Sequence, residues 1–419
     1  MIRPRAVVVA TGSELVRGER TDLNGPFLAR EALKLGLEPV RIVVVGDAPE
    51  ELEAALRSAL AEADVILTSG GLGPTHDDRT VELVARALGV GLHVEPELER
   101  RIEDVSRAVA ERLNRPYADF EVGVTKQATV PDGALVLGLA GTAPGLLVAD
   151  GRGRVVVVLP GPPPELRRLW PNALETQPFR ALLARTRPPG RRVLRLFGVS
   201  ESAVARALAE AGGDGDGVEV TICARDFEIH VDLVVEPGAE ERADALEARF
   251  VPPLERWLYG RDERPIEEHV LSLLRAQRLT LGVAESCSGG LVAARLTSVP
   301  GSSEVFLGGV VSYADEVKVR ELGVPAELIE RHGAVSAEVA EAMARGARER
   351  LRADVAVSVT GIAGPGGGTP EKPVGLVYLH AEGPSGGLGR EFSFPGDRGA
   401  IRARATVGAL HLIRTLAIR

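Results

Sequence analysis

The feature that most constrains this chain is an alternation, from residue 6 onward, of short runs that are apolar at consecutive positions with longer helical stretches. Residues 6–10, 39–45 and 65–68 read as strands, and residues 25–35, 49–61 and 80–88 as helices. A strand that is apolar at successive positions must bury both faces, and a sheet does this when helices cover it on two sides. Connections of a few residues between such elements fit right-handed βαβ units and a parallel sheet. A longer helix, 95–113, precedes a second strand-rich stretch that ends at 155–160. The run PGPPPELRRLW then opens another helix, its prolines suited to a first turn.

With 419 residues, the chain is longer than the roughly 250–300 residues at which a single core stops growing. Two breaks divide it. Residues 181–191 (ALLARTRPPGR) read as a linker, and residues 251–264 carry PP and DERP. The expected domains are therefore 1–180, 190–252 and 264–419. The middle segment runs strand 193–197, helix 201–211, a GGDGDG turn, a hairpin 218–235 around Arg225-Asp226, and helix 239–250. That βαββα order describes a small α+β module. The last segment alternates strands near 279–284, 305–313, 354–359 and 375–380 with helices from Gly290, at 337–351 and at 400–418, again an α/β pattern.

Composition narrows the class. A net charge of −9 disfavours general nucleic-acid binding. Cys223 and Cys287 are too few for a disulfide framework or a four-cysteine zinc site. The start, MIRPRAVVVA, lacks a secretory h-region and cleavage site, and no run approaches the roughly 20 apolar residues of a membrane span. A cytoplasmic protein with no membrane partner is expected. Of 50 basic residues only Lys34, Lys126, Lys318 and Lys372 are lysines. Where arginine supplies the surface charge, a lysine marks a place where a titratable amine has a use, or a chance survivor.

Four motifs in the last segment carry chemistry. AESCSGGLVAARL (284–296) brings Glu285, Ser286, Cys287 and Ser288 off a buried strand into a Gly289-Gly290 turn before a helix. Strand ends beside helix N-termini are where open α/β sheets bind ligands and stabilise oxyanions. A serine there can equally be a helix cap. GGVVSYADEVKVRELGV (308–324) places Tyr313 and Lys318 beyond another strand. An amine can take the proton that makes a serine nucleophilic, and a tyrosine can relay it. The plainer reading is a packed ring and a solvated cation. SVTGIAGPGGGTPEKPVG (358–375) is a glycine-rich strand-end loop without P-loop spacing, and FPGDRGAIRARA (394–405) puts Arg398 at a helix start, where it can pair with a phosphate.

The first segment has two such strand-end loops, TGSELVRGERTDLNG (11–25) and TSGGLGPTHDD (68–78). Their Gly, Ser and Thr suit phosphate oxygens, and Asp77 and Asp78 either hold a divalent ion or complement the following helix.

AESCSGGL, VSYADEVK, GAVS, TGIAGPGGG, KPVG and FPGDR, in this order and spacing, resemble the nicotinamide-nucleotide amidase domain of the CinA (competence/damage-inducible) family. TGSELVRG and TSGGLGPTHDD resemble the molybdopterin-binding, MoaB/MogA-like fold, and with GTAPG and LPGPPPEL they match the first domain of the same family. The middle module then corresponds to that family's KH-like domain. It lacks an evident GxxG clamp, and the aspartates of GGDGDG repel a phosphate backbone, so domain or dimer contacts are expected of it rather than RNA binding.

For the C-terminal domain the resemblance implies deamidation of nicotinamide mononucleotide to nicotinate mononucleotide and ammonia, with no cofactor. Ser286 would be the nucleophile, Lys318 its base and Tyr313 an accessory proton relay. Ser288 (where the family usually has threonine), Gly289, Gly290, Thr360, Gly361, Gly364 and Arg398 would line the substrate. For the N-terminal domain it implies hydrolysis of ADP-ribose to AMP and ribose 5-phosphate, assisted by a divalent metal such as magnesium, with potassium sometimes implicated. Thr11, Gly12, Ser13, Asn24, Gly70, Gly71, Gly73 and Thr75 would bind that substrate, and Glu14, Asp77 and Asp78 the metal. The partners are small-molecule nucleotides and a second copy of the chain in a homodimer. The rival reading, of a different class, is a pterin-binding or competence-linked scaffold whose N-terminal site is inactive.

Overall fold

The inner strands of the first sheet are buried on both faces, as their consecutive apolar positions require, whereas the edge strand Glu38–Val45 leaves Ile42 and Val44 exposed. The computed structural model describes residues 3–418, and contacts divide the chain into two compact units, 1–190 and 191–419. The first unit holds β1 (Arg5–Thr11), β2 (Glu38–Val45), β3 (Val65–Ser69), β4 (Leu92–Val94), β5 (Thr129–Pro131), β6 (Leu135–Ala140), β7 (Ala143–Ala149) and β8 (Val155–Leu159). Six form one sheet in the order β2-β1-β3-β8-β7-β6, while β4 and β5 pair separately. The β2, β1, β3 and β8 strands are mutually parallel, and β7 and β6 add antiparallel at the end.

Alternate residues of one strand feed different cores. Val7, Val9 and Ile66 pack with Leu52, Leu56 and Leu83 from the helices Pro49–Glu62 and Thr80–Leu88. Ala6, Val8 and Leu67 pack on the opposite side with Leu28 and Trp170 from the helices Asn24–Lys34 and Pro163–Leu174. This is the two-sided covering that the pattern of the sequence demands.

The second unit carries two sheets. The smaller one consists of β9 (Gly190–Leu196), β10 (Val218–Arg225), β11 (Glu228–Val235) and β12 (Leu258–Gly260), in the order β10-β11-β9-β12. The helices Glu201–Glu210 and Glu240–Phe250 pack on it through Val204, Leu246 and Phe250. The sequence reading places a break at 251–264, but three residues within it form β12 against β9. Three residues are too few to leave a periodic signal, so this strand is visible only through its partner.

The larger sheet consists of β13 (Leu281–Glu285), β14 (Phe306–Val311), β15 (Val355–Gly361), β16 (Leu376–Gly383) and β17 (Gly386–Ser393), in the order β14-β13-β15-β16-β17. The β14, β13 and β15 strands are parallel, and β16 and β17 are antiparallel. Val283, Val357 and Val359 face the helices Ile266–Gln277, Leu291–Thr297 and Arg398–Ala417. Ala284 and Ala356 face the helices Asp315–Leu322 and Ala337–Leu351. In register, Glu285 lies beside both Val311 and Val359, so the three parallel strands end at one level. No helix among the described residues is long and apolar enough to cross a membrane.

The small sheet docks on the last helix through a buried polar cluster. His411 Nε2 donates to Glu228 Oε1 at 2.6 Å, the Tyr259 hydroxyl donates to Oε2 at 2.7 Å, and His230 Nε2 lies 3.5 Å from Oε2. The His411 ring stacks on Phe197 at 3.7 Å. Burial alone would raise the Glu228 carboxyl, but the nearby His230 ring and hydrogen bonds from His411 and Tyr259 outweigh it and hold it at about 2. Burial pushes His411 down to about 4 against the pull of Glu228, so that ring is neutral at physiological pH.

Both shifts have the same consequence for stability. A histidine held neutral contributes fully above its ordinary 6.5, and that contribution is lost as pH falls toward 4. A carboxylate held at about 2 contributes fully above 4.5 and loses its contribution below. The melting temperature of the second unit is therefore expected to fall steadily from pH 6.5 downward. Glu228→Gln, which discards the charge and one acceptor, is expected to cost about 1–3 kcal/mol at pH 7.5 in urea unfolding.

Candidate functional site

Strand alternation gathers the C-terminal site. Ala284, Val310 and Ala356 point to the side of the sheet covered by the helices Asp315–Leu322 and Ala337–Leu351. The positions two residues on, Ser286, Ser312 and Ser358, follow on that side, with Thr360 beyond, because side chains repeat every second residue along a strand. Ser286 N donates to Val359 O at 2.8 Å and Ser312 N to Glu285 O at 2.8 Å, so the ladder continues past the strand ends. Ser358 donates to Ala340 O of the helix Ala337–Leu351, and Thr360 to Ala334 O in the segment just before that helix. Lys318 projects from the helix Asp315–Leu322 into this layer. It is only 1 % exposed, and its Nζ donates to Tyr313 O at 3.4 Å and Asp315 Oδ1 at 3.2 Å.

The loop bearing Ser286 is held by groups on either side. The Glu285 carboxylate is buried and accepts three backbone N–H groups, from Gly290 (2.9 Å), Val292 (3.2 Å) and Ala293 (2.9 Å). It thereby satisfies the first turn of the helix Leu291–Thr297, whose N-cap is Gly290 and which has no side-chain cap of its own. The capping role open to the serines is thus taken by Glu285, and their hydroxyls are left for other work. Gly289 and Gly290 have φ of +60° and +95°, where a Cβ is strained, so the tight return into the helix depends on glycine. On the other side, Arg402 Nε donates to Cys287 O at 3.1 Å and Nη2 to Ser288 O at 2.8 Å.

Three candidate nucleophiles are consecutive in this loop. Burial pushes the Cys287 thiol up to about 11, so at neutral pH it is a protonated core residue. Ser288 is 0 % exposed, and its Oγ has no partner. Ser286 is 8 % exposed, the most accessible of the three. At the rim, Arg398 Nη2 donates to the Tyr313 hydroxyl at 2.6 Å and Nη1 to Gly364 O at 2.8 Å. One guanidinium thus ties the glycine-rich loop to the 313 turn, and Tyr313 is 59 % exposed. Gly361 closes β15 at the same end of the sheet.

The structure therefore brings Ser286, Ser288, Gly289, Gly290, Thr360, Gly361 and Lys318 to one sheet edge, and links Tyr313, Gly364 and Arg398 beside it. The sequence reading leaves out the anchoring by Glu285, the clamp by Arg402 and the buried hydroxyl of Ser312. Glu285 carries a readable signal, a carboxylate closing an apolar strand. The other two depend on pairings across the fold.

The N-terminal residues divide between two cavities. Thr11, Glu14 and Asn24 line one of about 460 Å³, together with Ser69 and Gly161. Asn24 Nδ2 donates to Ser69 Oγ at 2.8 Å and Gly161 O at 2.7 Å, leaving its buried Oδ1 without a partner. Gly71, Gly73 and Asp78 line the other, of about 300 Å³, with Lys126. The remaining residues serve the loops themselves. Gly12 N bonds to Val45 O, Gly70 N to Leu159 O, and the Ser13 hydroxyl to Asp47 Oδ2 at 2.6 Å.

The metal set expected from Glu14, Asp77 and Asp78 is not assembled. Glu14 and Asp78 line different cavities. The Asp77 and Asp78 carboxylates close a turn on Thr75, whose N donates to Asp78 Oδ2 at 3.0 Å and whose hydroxyl contacts both. Neither caps the next helix, where Arg79 is the N-cap. Among the described residues no three His, Cys, Asp or Glu side chains are grouped to hold a metal ion, so this donor set does not fit the metal that the sequence resemblance implies.

Comparison with known proteins agrees with this organisation. Family models match residues 7–178 ("Probable molybdopterin binding domain"), 191–260 ("Damage-inducible protein CinA KH domain") and 263–417 ("CinA C-terminal domain"). A CinA-like protein of Mycobacterium sp. (strain MCS) is 44% identical over 418 residues, covering 98% of each chain. A CinA-like protein of Mycobacterium tuberculosis (strain ATCC 25177 / H37Ra) is 43% identical over 99% of this chain and 97% of its own. Among solved structures, the competence/damage inducible protein CihA of Agrobacterium tumefaciens is 42% identical over 36% of this chain and 93% of its own, with a TM-score of 0.36. CinA of Thermoplasma acidophilum is 33% identical over 41% of this chain and 96% of its own, with a TM-score of 0.35. With relatives of this similarity along nearly its whole length, and with all three domain types in the same order, the chain belongs to the CinA family of competence/damage-inducible proteins.

Proposed function

We propose that the C-terminal domain is an amidohydrolase that converts nicotinamide mononucleotide to nicotinate mononucleotide and ammonia. The observation that carries this reading is the placement of Ser286 and the buried Lys318 amine on one side of three parallel strand ends, with Arg398 at the rim. Lys318 in its free-amine form takes the proton of Ser286 as Oγ bonds to the carboxamide carbon. Return of that proton to the nitrogen lets the C–N bond break, and ammonia leaves. Water then gives a proton to the same amine as its oxygen bonds to the ester carbon, and that proton passes to Ser286 Oγ as the Oγ–carbon bond breaks and nicotinate mononucleotide leaves. Arg402 and Glu285 hold the loop in place, so the nucleophile needs little reorganisation. Arg398 recognises the substrate phosphate by exchanging the Tyr313 and Gly364 oxygens for phosphate oxygens.

For the N-terminal domain, the polar cavity beneath Asn24 supports binding of a nucleotide diphosphate of the ADP-ribose type, with hydrolysis to AMP and ribose 5-phosphate. The unpaired Asn24 Oδ1 is an acceptor suited to a ligand hydroxyl.

Ammonia release from nicotinamide mononucleotide is expected to fall at least about 10³-fold in Ser286→Ala, whereas Ser288→Ala costs less than about 10-fold because that hydroxyl forms no bond to the substrate carbon. Equal loss in the two would move the nucleophile to Ser288, and unchanged activity in Ser286→Ala would end the amidase reading. Arg398→Lys, which keeps the charge but not the fork, is expected to raise KM about 10-fold with kcat little changed. AMP formation from ADP-ribose is expected to drop in Asn24→Ala, and a wild-type protein that binds ADP-ribose without forming AMP would reduce the N-terminal domain to a binding module.

A further inference from the structure

Asp226 and Phe227 form the tip of the β10–β11 hairpin, a two-residue turn closed by the pair Arg225 and Glu228. Their φ values, +52° and +68°, both lie in the left-handed region. A two-residue hairpin turn of this kind favours Asn or Asp followed by Gly, and a bulky side chain at its second position is strained. Asp226 fits that preference; Phe227 does not. Such strain persists where the side chain has a use elsewhere.

The Phe227 ring reaches from the middle module to one segment of the C-terminal domain. It packs edge-on against Phe394 with centroids 5.1 Å apart, and against Phe197 of its own module at 5.6 Å. The Arg404 guanidinium stands 6.0 Å from the ring centroid, at the reach of a cation–π contact, and also donates to Pro395 O. Phe394 and Pro395 open the turn FPGDR. Phe394 N ties its start to Gly375 O at 2.9 Å, and Asp397 closes it by accepting from Ala400 N at 2.8 Å. The next residue is Arg398, first in the last helix, whose two nitrogens meet Tyr313 and Gly364 at the rim.

We infer that Phe227 is a positioning residue of the amidase site, and that the middle module braces the turn that aims Arg398 at the substrate phosphate. This rests on the amidase reading above. A guanidinium fork binds phosphate through two directed hydrogen bonds, so a small displacement of its base weakens recognition. The bonds of Lys318 and the Glu285 anchor of the Ser286 loop lie outside this turn, so the effect falls on substrate binding rather than on proton transfer.

The test uses the full-length protein with nicotinamide mononucleotide. Glycine accepts the backbone of position 227 freely, so Phe227→Gly removes the ring while relieving the turn. It is expected to raise KM about 5-fold with kcat within about 2-fold of wild type. Phe227→Tyr, which keeps the ring, is expected to hold KM within about 2-fold. In an Arg398→Ala background, Phe227→Gly is expected to add less than about 2-fold, because a brace has no effect once the group it aims is gone. A residue that serves only the fold would raise KM alike in both backgrounds or lower kcat with the melting temperature. If Phe227→Gly melts below the assay temperature, Arg404→Met, which removes the second tie to the turn, is expected to give the same rise in KM and the same loss of effect without Arg398. Wild-type KM in the folded variant, or equal rises with and without Arg398, overturns the brace. If the wild type releases no ammonia, the amidase reading falls; if it does and KM is unmoved, only the brace falls.

Discussion

The buried Glu285 carboxylate is the interaction on which the geometry of the C-terminal candidate site depends. It closes a strand and simultaneously accepts three N–H groups from the start of the next helix. A carboxylate inside a core is costly unless such donors surround it, and here the donors belong to a helix end that itself needs acceptors. The two requirements cancel. The five-residue loop between them is left with its ends fixed, and its hydroxyls are spared the capping work that serines usually do at such places.

Around that anchor the site is assembled by sheet geometry rather than by sequence proximity. Three parallel strands ending at one level present Ser286, Ser312 and Thr360 from segments far apart in the chain. The helix after β14 adds Lys318, and the last helix adds Arg398 and Arg402. The N-terminal unit is built on the same principle, but its strand-end loops line two cavities instead of one.

Much of this is legible in the amino-acid sequence alone. Strand runs such as VVVA, apolar at each step, demand two covering layers, and both sheets of the α/β type have them. The serine loop is legible because an apolar strand, polar residues and a glycine pair form a recognisable strand-to-helix return. Lys318 stands out by rarity. Ser312 does not, because a serine at a strand end is ordinary until one knows which strand lies beside it and which side it faces. Arg402 is hidden for the same reason, since its carbonyl partners lie more than a hundred residues earlier. The metal set of Glu14, Asp77 and Asp78 fails because two loops that read alike need not converge.

The Arg402 clamp has a consequence for how the protein is made. The loop it holds is complete once residue 290 has been synthesised, but the guanidinium that fixes its carbonyls comes 115 residues after Cys287. On the ribosome, the strand and its serine emerge long before the helix Arg398–Ala417 can dock against them. Until then the Ser286 loop has its Glu285 anchor but not its Arg402 clamp, and it is among the last parts of the domain to become fully fixed.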